Sequence, residues 1–160
     1  MSATLELRAV EAGSTDHVDA AWELKETIRQ REGVLKQRRR FFYQAYRRAR
    51  CHLLIDAEDG LIGFSSTRSD GYLLFLAVHP DYRGHGHGRR LVAAVADEYD
   101  SITCHARSTN ERAIAFYRHL GFEVERRITN YYEDQGDAYL LRLGDPDSLV
   151  DRIREYFQPR

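Results

Sequence analysis

The chain has 160 residues, of which 42% are hydrophobic and 11% aromatic, and its formal net charge is -1. That length allows one domain, 1–160, with a real core, and the composition excludes a disordered or fibrous chain. No stretch approaches the roughly 18 apolar residues of a membrane span, and the start MSATLELRAVEAG lacks a secretory pattern, so a cytoplasmic protein with no membrane partner is expected.

Leu5 to Val10 alternates as a half-buried strand does, and Ser14-Thr15-Asp16 offers caps for a helix from near His17 to about Arg31. On that helix Val18, Ala21, Trp22, Lys25 and Ile28 share one face, where only the lysine is out of character. Gly33 breaks the pattern, and a second helix is expected over Val34 to Arg48 with Phe41, Phe42, Ala45 and Tyr46 inward. Between Lys25 and Arg50 ten Lys or Arg stand against Glu26 and Glu32, so this segment carries +8 and the remainder -9. It reads either as solvated helices with long basic side chains or as a basic surface that attracts an acidic partner or a cofactor's phosphates. With a pI near 6.7 and no recognisable binding motif, a nucleic-acid partner ranks low.

The period then changes from helical to extended. His52 to Ile55 and Leu61 to Phe64 flank a turn-like Asp56–Gly60 as a hairpin, and Asp70-Gly71 turns into the apolar run Tyr72 to Val78, giving an antiparallel meander. A helix is expected over Gly88 to Tyr99, a strand over Ile102 to Ala106 and a helix over Asn110 to Leu120 with Gly121 at its end. Strands over Phe122 to Ile128 and Ala138 to Leu143 and a terminal helix over 146–157 complete the chain, whose last apolar stripe suits packing on the body or on a second copy; monomer and homodimer both stay open. Cys51 and Cys104, far apart in apolar settings, form neither a CxxC pair nor a zinc framework and read as buried strand residues.

Chemistry concentrates at Val78-His79-Pro80-Asp81-Tyr82-Arg83-Gly84-His85-Gly86-His87-Gly88-Arg89, a strand that opens through glycines into a helix. Helix N-termini leave amide N–H groups unpaired, and glycines let a pyrophosphate approach the backbone, so the stretch suits an anion. Its Gly-x-Gly-x-Gly spacing is neither the dinucleotide fingerprint nor a P-loop, and a structural glycine turn is the alternative. His79, His85 and His87 lack a carboxylate–cysteine set to complete a site, so no metal is expected.

Arg83, Gly86 and Gly88 match the Arg/Gln-x-x-Gly-x-Gly/Ala signature of the GCN5-related N-acetyltransferase (GNAT) family, preceded by its Val78-x-Pro80. Asn110, Ala113, Phe116, Tyr117 and Gly121-Phe122 resemble that family's second motif at its usual distance, so the core of the resemblance is 72–122. The resemblance implies an α/β GNAT fold, a mixed central sheet of about six to seven strands flanked by helices, here with an extra C-terminal helix. It implies acetyl-coenzyme A as co-substrate, with the pyrophosphate on the backbone of Arg83, Gly84, His85, Gly86, His87, Gly88 and Arg89. The pantetheine arm would pair with Leu76, Ala77 and Val78, the N–H of Val78 would polarise the acetyl carbonyl, and Asn110 would contact the arm or the acceptor side. Tyr117 would protonate the departing thiolate, a role its place in the motif favours over that of a core aromatic on an amphipathic helix.

The acceptor amine must lose a proton, and His105 is the candidate base. In the ribosomal-protein alanine acetyltransferase branch that position holds a glutamate, so either His105 replaces it, directly or through water, or it is a satisfied polar residue and the base lies elsewhere. Tyr131-Tyr132 leading to Asp137-Ala138 resembles the end of that branch and of protein N-terminal acetyltransferases, and implies that Tyr131 or Tyr132 lines a groove for a peptide N-terminus. The helices before Arg50 do not resemble that branch's opening. Three functions are therefore carried: an enzyme for a protein or peptide N-terminal amine, one for a small amine such as a polyamine, amino acid or antibiotic, and a non-catalytic acetyl-coenzyme A sensor.

Overall fold

A computed structural model of the chain describes residues 5–144, and the terminal helix expected at 146–157 lies outside the described residues. Its elements are β1 (Leu5–Val10), α1 (Val18–Glu32), α2 (Arg39–Arg48), β2 (Arg50–Asp56), β3 (Gly60–Thr67), β4 (Leu73–Val78), a 3-10 turn (Pro80–Tyr82), α3 (His87–Ala96), β5 (Ile102–Arg107), α4 (Glu111–His119), β6 (Glu123–Ile128) and β7 (Ala138–Leu143). The expected sheet is realised as seven strands in two antiparallel sheets, ordered β1-β2-β3-β4 and β5-β7-β6. The chain divides into two compact units, 1–95 and 96–160.

In the first unit the meander closes as its sequence dictates. Asp56 Oδ1 accepts from the N–H groups of Glu58 at 2.8 Å and Asp59 at 3.1 Å, and Gly60 takes φ 74°, so the β2–β3 turn is an aspartate-capped reversal. Helices α1 and α2 cover one face of this sheet through Phe42, whose ring centroid lies 4.8 Å from Phe75 and 5.6 Å from Trp22. Truncating such a ring to alanine costs about 3–5 kcal/mol.

Lys25 is 1% exposed on the apolar face of α1. Its ammonium donates to the carbonyl of Gln37, lies 3.3 Å from a Glu26 carboxylate oxygen and sits 4.5 Å from the Trp22 ring centroid. Burial is the largest influence and lowers its pKa, while these partners keep the ammonium tolerable. The same bond explains why α2 starts later than its apolar spacing predicts. Lys25 holds the Gln37 carbonyl, Leu35 turns to φ 55°, and residues 34–38 run as a loop before the helix begins at Arg39.

In the second unit, Asn110 opens α4 by accepting from the Ala113 N–H at 3.1 Å. Gly121, at φ 104°, closes it, and the Phe122 N–H returns to the Tyr117 carbonyl at 3.0 Å. Strand β7 pairs with β5 from Ile102↔Leu143 to Arg107↔Ala138 and with β6 on its other side. Cys51 and Cys104 are both buried and free, and burial pushes their thiols up to about 11 and about 12. Neither is a nucleophile at neutral pH.

Candidate active site

The glycine loop follows β4. Gly84 and Gly86 take φ 83° and 80°, a conformation other residues adopt only with strain, and a Cβ at either would meet nothing within 4 Å. The backbone there is open to a ligand. Helix α3 begins at His87, and the first amide the helix ladder takes up is that of Arg90, which donates to the Gly86 carbonyl at 3.0 Å. The N–H groups of His87, Gly88 and Arg89 precede it in the first turn, where no intrahelical acceptor exists. With the helix's positive end they make a place for phosphate oxygens.

Arg83 has a different role from its neighbours. Its own N–H donates to the Pro80 carbonyl at 3.4 Å, and its guanidinium forms a two-pronged ion pair with Glu32, one bond of it at 2.7 Å. The same guanidinium donates to the Val78 carbonyl at 3.3 Å. A neighbouring pair, Arg31 with Asp81 at 3.0 Å, makes a second tie between the last turn of α1 and the segment leading into the loop. Arg83 thus acts by holding β4, the turn and α1 in register. His85 is exposed, whereas burial, followed by the charges of His85 and Arg90, holds the His87 imidazole below its ordinary value, so His87 is neutral at pH 7.

Strand β4 is the edge of its sheet. His79 N–H donates to the Ile62 carbonyl at 2.7 Å, and the register runs unbroken through Val78↔Gly63, Ala77↔Phe64 and Leu76↔Ser65. In an antiparallel pair the backbone groups of alternate residues face the partner strand. Those of His79 and Ala77 therefore face β3, and those of Leu76 and Val78 face outward, as the Arg83 bond to the Val78 carbonyl attests. The Ala77 backbone is spent on Phe64 and its side chain is buried among Phe64 and Phe75. Leu76 and Val78 are the two residues that can receive an added strand, with the Val78 N–H aimed the same way.

His105, Tyr117, Tyr131 and Tyr132 all lie in the second unit. In β5, Ile102, Cys104 and Ala106 are buried while Thr103, His105 and Arg107 are half-buried, the alternation of a strand with two unlike faces. Tyr117 of α4 is hydrogen-bonded to the thiol of Cys104 and packs against Phe122 with ring centroids 5.0 Å apart. His105 projects to the other face and stacks on Tyr131, centroids 4.3 Å apart and planes inclined by 15°, with the Tyr131 hydroxyl 3.4 Å from Nδ1. The phenol and the imidazole thus address opposite faces of one strand. Asn110 uses its side-chain carbonyl as the α4 cap, which leaves its amide N–H groups outside that bond.

Tyr131 and Tyr132 are presented by a turn that sequence patterns do not reveal. Their N–H groups donate to the Gly136 carbonyl at 2.9 and 3.1 Å, and Asn130 and Gln135 take φ 54° and 68°. Asp137 accepts from the Asn130 N–H at 3.0 Å and from Arg127, which together hold its carboxyl below the ordinary range. Arg107 pairs with Asp134 at 2.9 Å and lies 4.0 Å from the Tyr132 ring centroid; a Cβ on Gly136 would come within 2.6 Å of it. Burial first, then Tyr131, pushes the Tyr132 phenol up to about 12, so it stays neutral as Tyr131 stands 43% exposed. Arg107, Asp134, Gly136 and Asp137 are the supports of the two tyrosines. Among the described residues no group of three or more His, Cys, Asp or Glu is placed to hold a metal, and no helix is long and apolar enough to cross a membrane.

Residues 48–124 match the acetyltransferase (GNAT) domain family. The chain is 28% identical over 141 residues to the [ribosomal protein bS18]-alanine N-acetyltransferase of Salmonella typhimurium, covering 81% of this chain and 93% of that one. It is 35% identical over 83 residues to N-alpha-acetyltransferase 30 of Saccharomyces cerevisiae, covering 49% and 47%. The chain thus spans about half or less of the length of several curated relatives it matches. Among solved structures, the ribosomal-protein-S18-alanine N-acetyltransferase of Escherichia coli superposes with a TM-score of 0.70 at 26% identity, over 87% of this chain and 92% of that one.

Proposed function

We propose that this chain, whose residues 48–124 match the acetyltransferase (GNAT) domain family, moves an acetyl group from acetyl-coenzyme A to a primary amine by direct attack, and that the amine is the N-terminus of a protein or peptide. The observation that carries the reading is the outward backbone of Leu76 and Val78 running straight into the left-handed Gly84 and Gly86. An edge strand, an oxyanion donor and a phosphate cradle follow one another between Leu76 and Arg89. Acetyl-coenzyme A supplies the activated thioester. Leu76 and Val78 hold its extended arm as an added strand, and the Val78 N–H polarises the acetyl carbonyl. The amides of His87, Gly88 and Arg89 take the pyrophosphate.

The two faces of β5 supply the proton traffic. His105, on the face that carries Tyr131, takes the proton from the amine and lets its lone pair attack. Tyr117, on the Cys104 face, gives its proton to the departing thiolate; a phenol near 10 stays protonated at neutral pH above a thiol near 8.5. The contact of Tyr117 with the Cys104 thiol supports a hydroxyl that serves a sulfur partner. Tyr131 and Tyr132 flank the chain that follows the N-terminus. The relatives favour a peptide acceptor, since the Salmonella protein is named for an alanine of a ribosomal protein and the yeast protein for an α-amine.

The test is acetyl-coenzyme A consumption with a peptide panel and a small-amine panel, the products identified by mass. Turnover on peptide N-termini is expected. Turnover confined to polyamines, amino acids or antibiotics would replace the acceptor, and binding without turnover would leave a sensor.

A further inference from the structure

The +8 of residues 25–50 is unevenly used. Lys25 and Arg29 are paired with Glu26, Arg31 with Asp81 and Arg50 with Glu11. The remainder, Lys36, Arg38, Arg39, Arg40, Arg47 and Arg48, is exposed, and among the described residues no ion pair engages Arg40, Arg47 or Arg48. Helix α2 contains no acidic residue to offset them. Its inner face is Phe42, Tyr46 and the following Ala49, all buried. Its outer face, by helical spacing, is Arg40, Phe41, Gln44, Arg47 and Arg48, and Phe41 is 55% exposed there. Arg38 and Arg39 open this helix at its positive end, the sign that helix electrostatics disfavours. Arg39 lies 5.2 Å from the Tyr43 ring centroid, and Arg47 and Arg48 stand in the last turn, where helix electrostatics favours a cation, yet the guanidinium groups of Arg40, Arg47 and Arg48 stay exposed.

The face is tethered near the coenzyme loop. Glu32 is bound to Arg83, and Arg38 follows it by six residues, which reach at most about 20 Å. A peptide held by its N-terminus extends about 3.3 Å per residue, so residues about four to eight positions along it come within range of α2. We propose that this face selects the acceptor, and that the preferred substrate is a polypeptide whose N-terminus is followed by a run of Asp or Glu. The reading rests on peptide acetylation as proposed above. Planar guanidinium forks match carboxylates in two-pronged pairs, and Phe41 adds an apolar contact to a chain laid across them. Such a field raises capture by tenfold or more at low salt and fades as salt shortens its reach.

The experiment uses peptides with identical first three residues and a following segment that is acidic or neutral, assayed at about 30 and about 300 mM salt, a Debye length of roughly 18 against 6 Å. The acidic peptide is expected to show a kcat/KM about tenfold higher at low salt, through KM, with most of the advantage lost at high salt. In the triple variant Arg40→Gln, Arg47→Gln, Arg48→Gln that advantage disappears, while the neutral peptide's rate stays as it was and the thermal midpoint falls by no more than a few degrees. Equal kcat/KM for the two peptides, or a preference that survives in the variant, overturns the proposal. So does a single-stranded RNA that binds more tightly than the acidic peptide and is released by the same variant. If no peptide is turned over, the acetylation reading falls, and fluorescence anisotropy of the labelled acidic peptide still decides the surface: binding lost in the variant upholds it, and no binding overturns it.

Discussion

The loop at 83–89 and the turn at 129–137 both use left-handed backbone, and they use it to opposite ends. In the loop, Gly84 and Gly86 leave the backbone uncovered by side chains, and space remains where a Cβ would stand. In the turn, the amides of Tyr131, Tyr132 and Gln135 are consumed internally at 2.9 to 3.1 Å, and what faces outward is a pair of phenol rings. A backbone site recognises a feature every molecule of coenzyme A shares. A side-chain site can differ from one relative to the next; under the proposals above the tyrosine pair meets the first residues of an acceptor and α2 those further along.

Four substitutions probe that contrast, the largest effect first. Tyr117→Phe keeps the ring among Phe116 and Phe122 and removes the acid together with its bond to Cys104, so kcat should fall by about 10²–10⁴ while coenzyme A affinity holds. An unchanged kcat would return Tyr117 to the core. Val78→Pro deletes an N–H that makes no bond to β3, on an edge strand that tolerates proline, so the fold should survive while kcat drops about 10²–10³. A marked loss of thermal stability would instead mean that this amide belongs to the ladder. Gly86→Ala has space for its methyl but not the conformation, and about 1–2 kcal/mol of strain should weaken coenzyme A about 5- to 30-fold by calorimetry, with peptide KM unmoved.

Asp137→Asn should have the smallest effect. The Asn130 N–H and Arg127 lower the carboxyl's folded pKa, so its stabilisation is complete above the ordinary value near 4 and is lost as pH falls through the depressed one. Thermal midpoints measured from about pH 6 down to about pH 2 should show that acid loss in the parent protein and less of it in the variant. Equal acid sensitivity would mean that the turn rests on its backbone bonds alone.

Much of the scaffold is legible in the chain because it depends on neighbours in sequence. Asp56 caps its own turn, Gly121 ends its own helix, and β7 occupies Ala138–Leu143 as its apolar run predicts. What escapes the sequence depends on partners far along it. The α2 boundary is set by Lys25 reaching the Gln37 carbonyl, and the role of Arg83 by a glutamate 51 positions earlier. Alternation in β5 predicts that His105 and Cys104 point apart. Only the packing of α4 tells which of the two faces Tyr117 joins, and the supports of Tyr131 and Tyr132, from Arg107 to Asp137, have no spacing that marks them.

His105 decides between the two proton paths the sequence leaves open. If it is the base, kcat/KM loses its acid limb in His105→Ala and keeps it in Tyr131→Phe, which retains the stacked ring.

The central claim is most directly tested by incubating the protein with acetyl-coenzyme A and a peptide that carries both a free N-terminus and an internal lysine, then locating the product by fragmentation. One acetyl group on the α-amino nitrogen is predicted, and its formation should fail in Tyr117→Phe. Acetyl found only on the lysine, or none on any peptide while a small amine is modified, would contradict the account.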